Sequence, residues 1–184
     1  MTQQRLFIAV ILSEETQENL AKVQSQCAKL LGLSQESFIE KKKFHLTLNF
    51  LGAVEEGKIS KLTGNLKKHA ELKRFEFSLN RMIAFPNAEK PSVIALSGSV
   101  GNSPLSYLQS RITMNLKDLG FPLESRVFVP HVTLFRLKRE SLTVKLETLP
   151  QWTCDFQVNQ FALFESQTVN AKSHYIPILT WQLS

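Results

Sequence analysis

Residues Phe44 to Gly52 read FHLTLNFLG, and residues Pro130 to Arg136 read PHVTLFR. Each stretch holds a histidine, a threonine two positions on and a leucine after that, in an apolar setting. The chain has only 4 histidines, so the repetition uses half of them. Successive side chains of a strand face opposite ways. The alternation in the first stretch therefore places His45 and Thr47 on one side of a strand and Phe44, Leu46 and Leu48 on the other. His131 and Thr133 fall into the same relation in the second stretch. A polar pair backed by apolar residues is how a sheet presents a site.

Working outward, RLFIAVIL (Arg5 to Leu12) is an apolar run of strand length. Ser13 comes next as an N-cap, with Glu14 and Glu15 in the first helical turn. Leu20, Val23, Cys27, Leu30 and Leu31 recur at three- and four-residue steps, one face of an amphipathic helix closed by Gly32. A second helix is predicted over about Glu55 to Ala70, with Ile59, Leu62 and Leu66 inward, and a β-rich segment over Phe75 to Phe85. The pattern then restarts. SVIAL (Ser92 to Leu96) matches LFIAV, and Leu105, Leu108, Ile112 and Leu116 repeat Leu20, Val23, Cys27 and Leu31 at a constant offset of 85. Gly120 ends that helix, and His131 arrives 86 positions after His45. Offsets of 85 to 86 in three successive elements indicate an internal duplication of strand, helix and motif strand. A polar stretch (Lys138 to Pro150), a strand pair over Trp152 to Glu165 and the closing strand HYIPILTWQLS complete the chain. No linker or low-complexity tract divides it, so residues 1–184 read as one bilobal α+β unit with two antiparallel-rich sheets facing each other and helices outside.

Composition bounds the function. A hydrophobic fraction of 43% and a charged fraction of 21% belong to a folded globular chain. The apolar run near the start is too short to span a membrane and lacks a secretory cleavage site, which predicts a cytoplasmic protein without a membrane partner. Cys27 and Cys154 lack Cys-x-x-Cys spacing and read as reduced, buried thiols. The net charge of +6 suits a polyanionic partner. Lys41, Lys42 and Lys43 precede the first motif, and Arg126, Arg136, Lys138 and Arg139 bracket the second.

Two histidines on facing strands suit a phosphodiester hydrolase that needs no metal or cofactor. One neutral imidazole takes a proton from the attacking water, and one imidazolium protonates the departing oxygen. A reference pKa near ~6.5 lets both forms coexist at neutral pH. Thr47 and Thr133, on the same faces, can donate to the non-bridging phosphate oxygens. Arg136 lies five residues past His131, and a regular strand turns it to the opposite face. It reaches a phosphate only if the strand bends or ends, and is otherwise a surface arginine. Phe50 stands either in the core or under a stacked base. His69 and His174 have no comparable context and read as structural or surface residues. A zinc reading of His45 and His131 lacks a third ligand, since no Asp or Glu lies within either motif.

Taken together, RLFIAV, FHLTLNFLG, VIAL, FVPHVTLFR and HYIPILTWQL resemble the two-histidine phosphoesterase superfamily. Within it, the chain is most similar to the RNA 2′,3′-cyclic phosphodiesterase family, also called the 2′-5′ RNA ligase family. The resemblance implies a bilobal fold with a pseudo-twofold axis and a cleft holding both motifs. It implies hydrolysis of a ribose 2′,3′-cyclic phosphate to a 2′-phosphate; the partners expected are RNA with such ends or, in an alternative reading, small cyclic nucleotide phosphates, and the chain is expected to be a monomer. In some members it implies reversible, ATP-independent 2′-5′ joining. Carried over by position, His45 and Thr47 form the first motif, His131 and Thr133 the second, and Arg136 is the arginine that ends it. The analogy makes His45 the acid and His131 the base. One departure is FIEKKKFHL before the first motif, where the family has a tryptophan and a proline, so lysines stand in for an aromatic contact. Alternative readings are a phosphodiesterase of the same fold acting on 2′-5′ oligonucleotides, and an RNA-end-binding module without turnover.

Overall fold

The computed structural model describes residues 3–101, 103–137, 143–170 and 172–184. Its strands are β1 (Gln3–Ile11), β2 (His45–Glu55), β3 (Phe75–Phe85), β4 (Val93–Gly98), β5 (His131–Arg136), β6 (Cys154–Val158), β7 (Gln160–Val169) and β8 (Lys172–Gln182). Its helices are α1 (Glu14–Leu31), α2 (Glu56–Leu66) and α3 (Pro104–Asp118). Two four-stranded antiparallel sheets result, in the orders β2-β1-β7-β8 and β5-β4-β3-β6. Each motif strand is thus an edge strand of its own sheet, and β2 and β5 touch each other. Among the described residues no helix is long and apolar enough to cross a membrane.

The helices form where the capping chemistry predicts. Ser13 Oγ accepts from the Thr16 N–H at 3.2 Å at the start of α1, and Gly32, at φ 64°, closes it. Ser103 repeats the cap on α3, with Pro104 in the first turn. Leu20, Val23 and Cys27 of α1 are buried, as are their counterparts Leu105, Leu108 and Ile112 of α3. The helices cross over between the halves: α1 packs on β5 and β6, and α3 packs on β2. The second helix is shorter than the predicted Glu55 to Ala70, because the chain tightens into a 3₁₀ turn over Lys67–Glu71 after Leu66.

The expected strand pair over Trp152 to Glu165 needs correction. Strand β6 pairs with β3 in one sheet, while β7 pairs with β1 and β8 in the other. Asn159 alone separates them, and one residue is too few for a hairpin turn, so the chain passes from sheet to sheet. This crossing ties the two sheets together at one end of the core.

Candidate active site

In β2, His45 stands opposite Ile11 of β1 and Thr47 opposite Ala9. In β5, His131 stands opposite Ser97 of β4 and Thr133 opposite Ala95. A small residue beside each threonine on the same face leaves room around its hydroxyl. All four motif side chains are half-buried, whereas Leu46, Leu48, Val132 and Leu134 between and after them are buried in the core. The period-two reading of both motifs is therefore the arrangement in the fold.

The two imidazoles are held by the same device. His45 Nδ1 lies 2.7 Å from the Lys43 carbonyl oxygen, and His131 Nδ1 lies 2.7 Å from the Val129 carbonyl oxygen. A carbonyl only accepts, so each Nδ1 carries the hydrogen and each Nε2 is left for chemistry. In the neutral ring that Nε2 is a lone pair, and in the protonated ring it is a donor. Burial pulls the pKa of His45 below its ordinary value; the bond to Lys43 opposes this, and the charge of His131 adds to the lowering. Burial also lowers His131, opposed by the bond to Val129. The two rings stand on β2 and β5, which are in contact with each other.

Around the rings the halves differ. His45 packs against Phe7, with ring centres 5.2 Å apart, and against the edge of Tyr175 at 5.1 Å. Phe7 in turn stacks on Phe164 at 5.1 Å and touches Phe50 at 6.2 Å. His131 has Phe85 at 5.0 Å. Sequence reasoning missed Phe7, Tyr175 and Phe85. The unbroken apolar run of β1 hides which face Phe7 takes, and the other two come from distant strands.

Both residues at the fifth position after the histidine turn to the histidine face through bulges. In β5 the register passes from Thr133 opposite Ala95 to Phe135 opposite Ile94, leaving Leu134 without a partner in β4. The extra residue reverses the alternation. Arg136 then stands opposite Val93, on the face of Ala95 and Ser97, and so on the face of His131. In β2, Leu48 is skipped in the same way, which brings Phe50 opposite Phe7 on the His45 face. A second slip skips Leu51, beside Gly52 with its left-handed φ of 71°. Phe50 is 62% exposed, which removes it from the core.

Four of the flanking cations, Lys41, Lys42, Lys43 and Arg126, are already engaged. Lys41, Lys42 and Lys43 form a 3₁₀ turn in which Lys41 pairs with Glu18, and Lys42 and Lys43 pair with Glu40 at 3.7 and 2.7 Å. Arg126 chelates Glu124 through Nε and Nη2 at 3.0 and 2.6 Å. Lys138 and Arg139 lie outside the described residues. His69 is buried, with neither ring nitrogen hydrogen-bonded, and His174 is exposed on β8. Both cysteines are free and buried. Among the described residues no group of three His, Cys, Asp or Glu side chains is placed to hold a metal ion. Two surface hollows lie away from the histidines, one beside Leu51, Lys58 and Phe121 and one beside Met82 and Trp152. The geometry around the paired rings, not concavity, marks the site.

Comparison with known proteins identifies the family and the fold. The family model for LigT-like phosphoesterases matches residues 10–95 and 100–175. An RNA 2′,3′-cyclic phosphodiesterase of Methanocaldococcus jannaschii is 33% identical over 134 residues, 73% of this chain and 72% of the relative. A protein of the same name from Aquifex aeolicus is 27% identical over 88% of both chains. Among solved structures, TT0787 of Thermus thermophilus superposes with a TM-score of 0.83 at 25% identity over 97% of both chains. LigT of E. coli, in its apo form, superposes with a TM-score of 0.79 at 24% identity, covering 100% of this chain and 99% of that one. With both halves of the repeat matched and the fold shared end to end, this chain belongs to the LigT-like phosphoesterase family.

Proposed function

We propose that this protein hydrolyses the 2′,3′-cyclic phosphate ends of RNA to 2′-phosphates, using His45 and His131 as a general acid and base without metal or cofactor. The observation that carries the reading is the mirrored pair of Nδ1 bonds, which leaves both Nε2 atoms free on touching edge strands. The curated relatives named RNA 2′,3′-cyclic phosphodiesterase support the substrate class.

His131 Nε2 takes a proton from water, the water oxygen attacks phosphorus, and the bond from phosphorus to O3′ breaks. His45 Nε2–H passes its proton to O3′, which leaves the phosphate on O2′. The hydroxyls of Thr47 and Thr133 and the Arg136 guanidinium hold the non-bridging oxygens as charge develops on them. The asymmetry of the surroundings supports the assignment of acid and base. Phe50, exposed and in contact with the buried Phe7, stands on the His45 side and gives the terminal base a surface for stacking. The ribose then lies beside His45, with its leaving oxygen, while the arginine and the attacking water lie beside His131. The enzyme acts as a single bilobal, monomeric domain (1–184) in the cytoplasm, and a 5′-hydroxyl attacking in place of water, with O3′ leaving as before, joins ends through a 2′-5′ linkage.

The test is hydrolysis of a short RNA ending in a 2′,3′-cyclic phosphate, in EDTA, by the wild type and by His45→Ala and His131→Ala. A 2′-phosphate product with turnover reduced by about 10²–10⁴ in each variant is expected. A 3′-phosphate product, or near-normal turnover in either folded variant, contradicts the reading.

A further inference from the structure

Gln24 is out of character for its place. It lies among Leu20, Val23, Cys27 and Ala28 on the buried face of α1 and is 4% exposed. A buried amide is costly unless hydrogen-bonded. Its Nε2 donates to the Leu134 carbonyl at 2.7 Å and to the Ile39 carbonyl at 3.0 Å. Leu134 is the residue of β5 that has no partner in β4, the bulge that turns Arg136 to the face of His131. The Ile39 N–H reaches the same Leu134 oxygen at 3.0 Å, and Phe38 bridges to Phe135. The carbonyl freed by the bulge is thus gripped from outside the sheet by a helix of the other half and by the segment leading into the first motif.

The second half has a counterpart. Gln109 lies the repeat offset of 85 after Gln24, and its Nε2 donates to Thr113 Oγ1 at 3.0 Å. Thr113 Oγ1 also accepts from Asn49 Nδ2 at 2.8 Å. Asn49 is the residue of β2 directly after the skipped Leu48. Each duplicated helix therefore holds the other half's motif strand at its bulge.

We propose that Gln24 is a positioning residue for the reaction: by fixing the Leu134 carbonyl outside the β4 ladder, it holds the bulge that aims Arg136 into the cleft. The inference rests on the reading of Arg136 as a phosphate ligand. Its test is kcat/KM on an RNA dinucleotide ending in a 2′,3′-cyclic phosphate, measured for the wild type, Gln24→Met, Arg136→Ala and the double variant. Methionine keeps the length of glutamine and removes both donors. Gln24→Met is expected to lower kcat/KM about tenfold in the wild-type background and less than about twofold in the Arg136→Ala background. A glutamine that only supports the fold would lower the thermal midpoint in both backgrounds without this coupling. Equal losses in both backgrounds, or a folded Gln24→Met with wild-type kcat/KM, overturn the inference while leaving Arg136 in place. Wild-type kcat/KM in Arg136→Ala removes the phosphate reading and this inference with it. If Gln24→Met does not fold, Gln24→Asn, which draws the amide back by one methylene, is scored by the same criteria.

Discussion

The motif strands β2 and β5 are built alike as far as the threonine and then part. Each presents a histidine tied by Nδ1 to the carbonyl two residues back, a threonine opposite an alanine, and an unpaired leucine that reverses the alternation. At the next cleft-facing position β2 carries Phe50 and β5 carries Arg136. The difference teaches how a duplicated scaffold comes to act on an asymmetric substrate. In the proposed mechanism the shared part supplies two proton carriers, and the unshared residue tells the halves apart, one offering a π surface and the other a fixed positive charge.

Exchanging the features of the two strands should have unequal consequences. Arg136→Ala should reduce kcat/KM by about 10²-fold, as loss of a charged donor to a developing oxyanion does, on RNA ends and on a cyclic phosphate lacking a base alike. Phe50→Ala should cost about tenfold on RNA ends and nothing on the cyclic phosphate without a base, because only a base can stack. Steady-state kinetics on the two substrates check both; an equal loss on both for Phe50→Ala would return Phe50 to a structural role.

A smaller effect separates the histidines by protonation. In the proposed mechanism activity requires His131 neutral, which fails as pH falls through its pKa, and His45 protonated, which fails as pH rises through its own. Burial lowers both below the ordinary value of 6.5. The bell in kcat/KM, which reports the free enzyme, should therefore be centred on the acid side of 6.5. A bound phosphate anion favours the imidazolium, so the bell in kcat should lie at higher pH. A kcat/KM profile flat from about pH 5 to 9 would break the pairing of acid and base.

The motifs were legible in the sequence because period two needs only the histidine, the threonine and their apolar neighbours. The duplication was legible because Leu20, Val23 and Cys27 keep their offset to Leu105, Leu108 and Ile112. The course of each strand beyond its threonine was not. Leu134 is an apolar residue in an apolar strand, and nothing local distinguishes a paired leucine from a bulged one. The face of Arg136 is decided by the register with β4, and that of Phe50 by the register with β1. The pairing of Lys41 was hidden for the same reason, since Glu18 lies 23 residues away on α1. The strands after Trp152 misled because alternation identifies a strand but not the sheet it joins.

His69 supplies the control for both motif histidines. It is buried like a core residue, has no hydrogen-bond partner, and has its pKa lowered by burial, and by Lys68 and Arg111, to about 4. The unfolded chain takes up a proton near ~6.5 and the folded one only near 4, so the stability due to His69 is complete above ~6.5. It is lost as pH falls from there through about 4. Unfolding free energies from denaturant titrations between pH 7 and 4 should fall more steeply for the wild type than for His69→Phe, by on the order of 1–3 kcal/mol. Parallel curves would mean that the ring is protonated without penalty in the fold.

The most direct test of the division of labour between the two strands is a 2′,3′-cyclic phosphate whose 3′ bridging oxygen is replaced by sulfur. A departing thiolate needs no proton, whereas the attacking water still needs a base. His45→Ala should regain most of the wild-type rate on this substrate, and His131→Ala should remain inactive. Recovery of His131→Ala instead, or of neither variant, would contradict the assignment of His45 to the leaving oxygen.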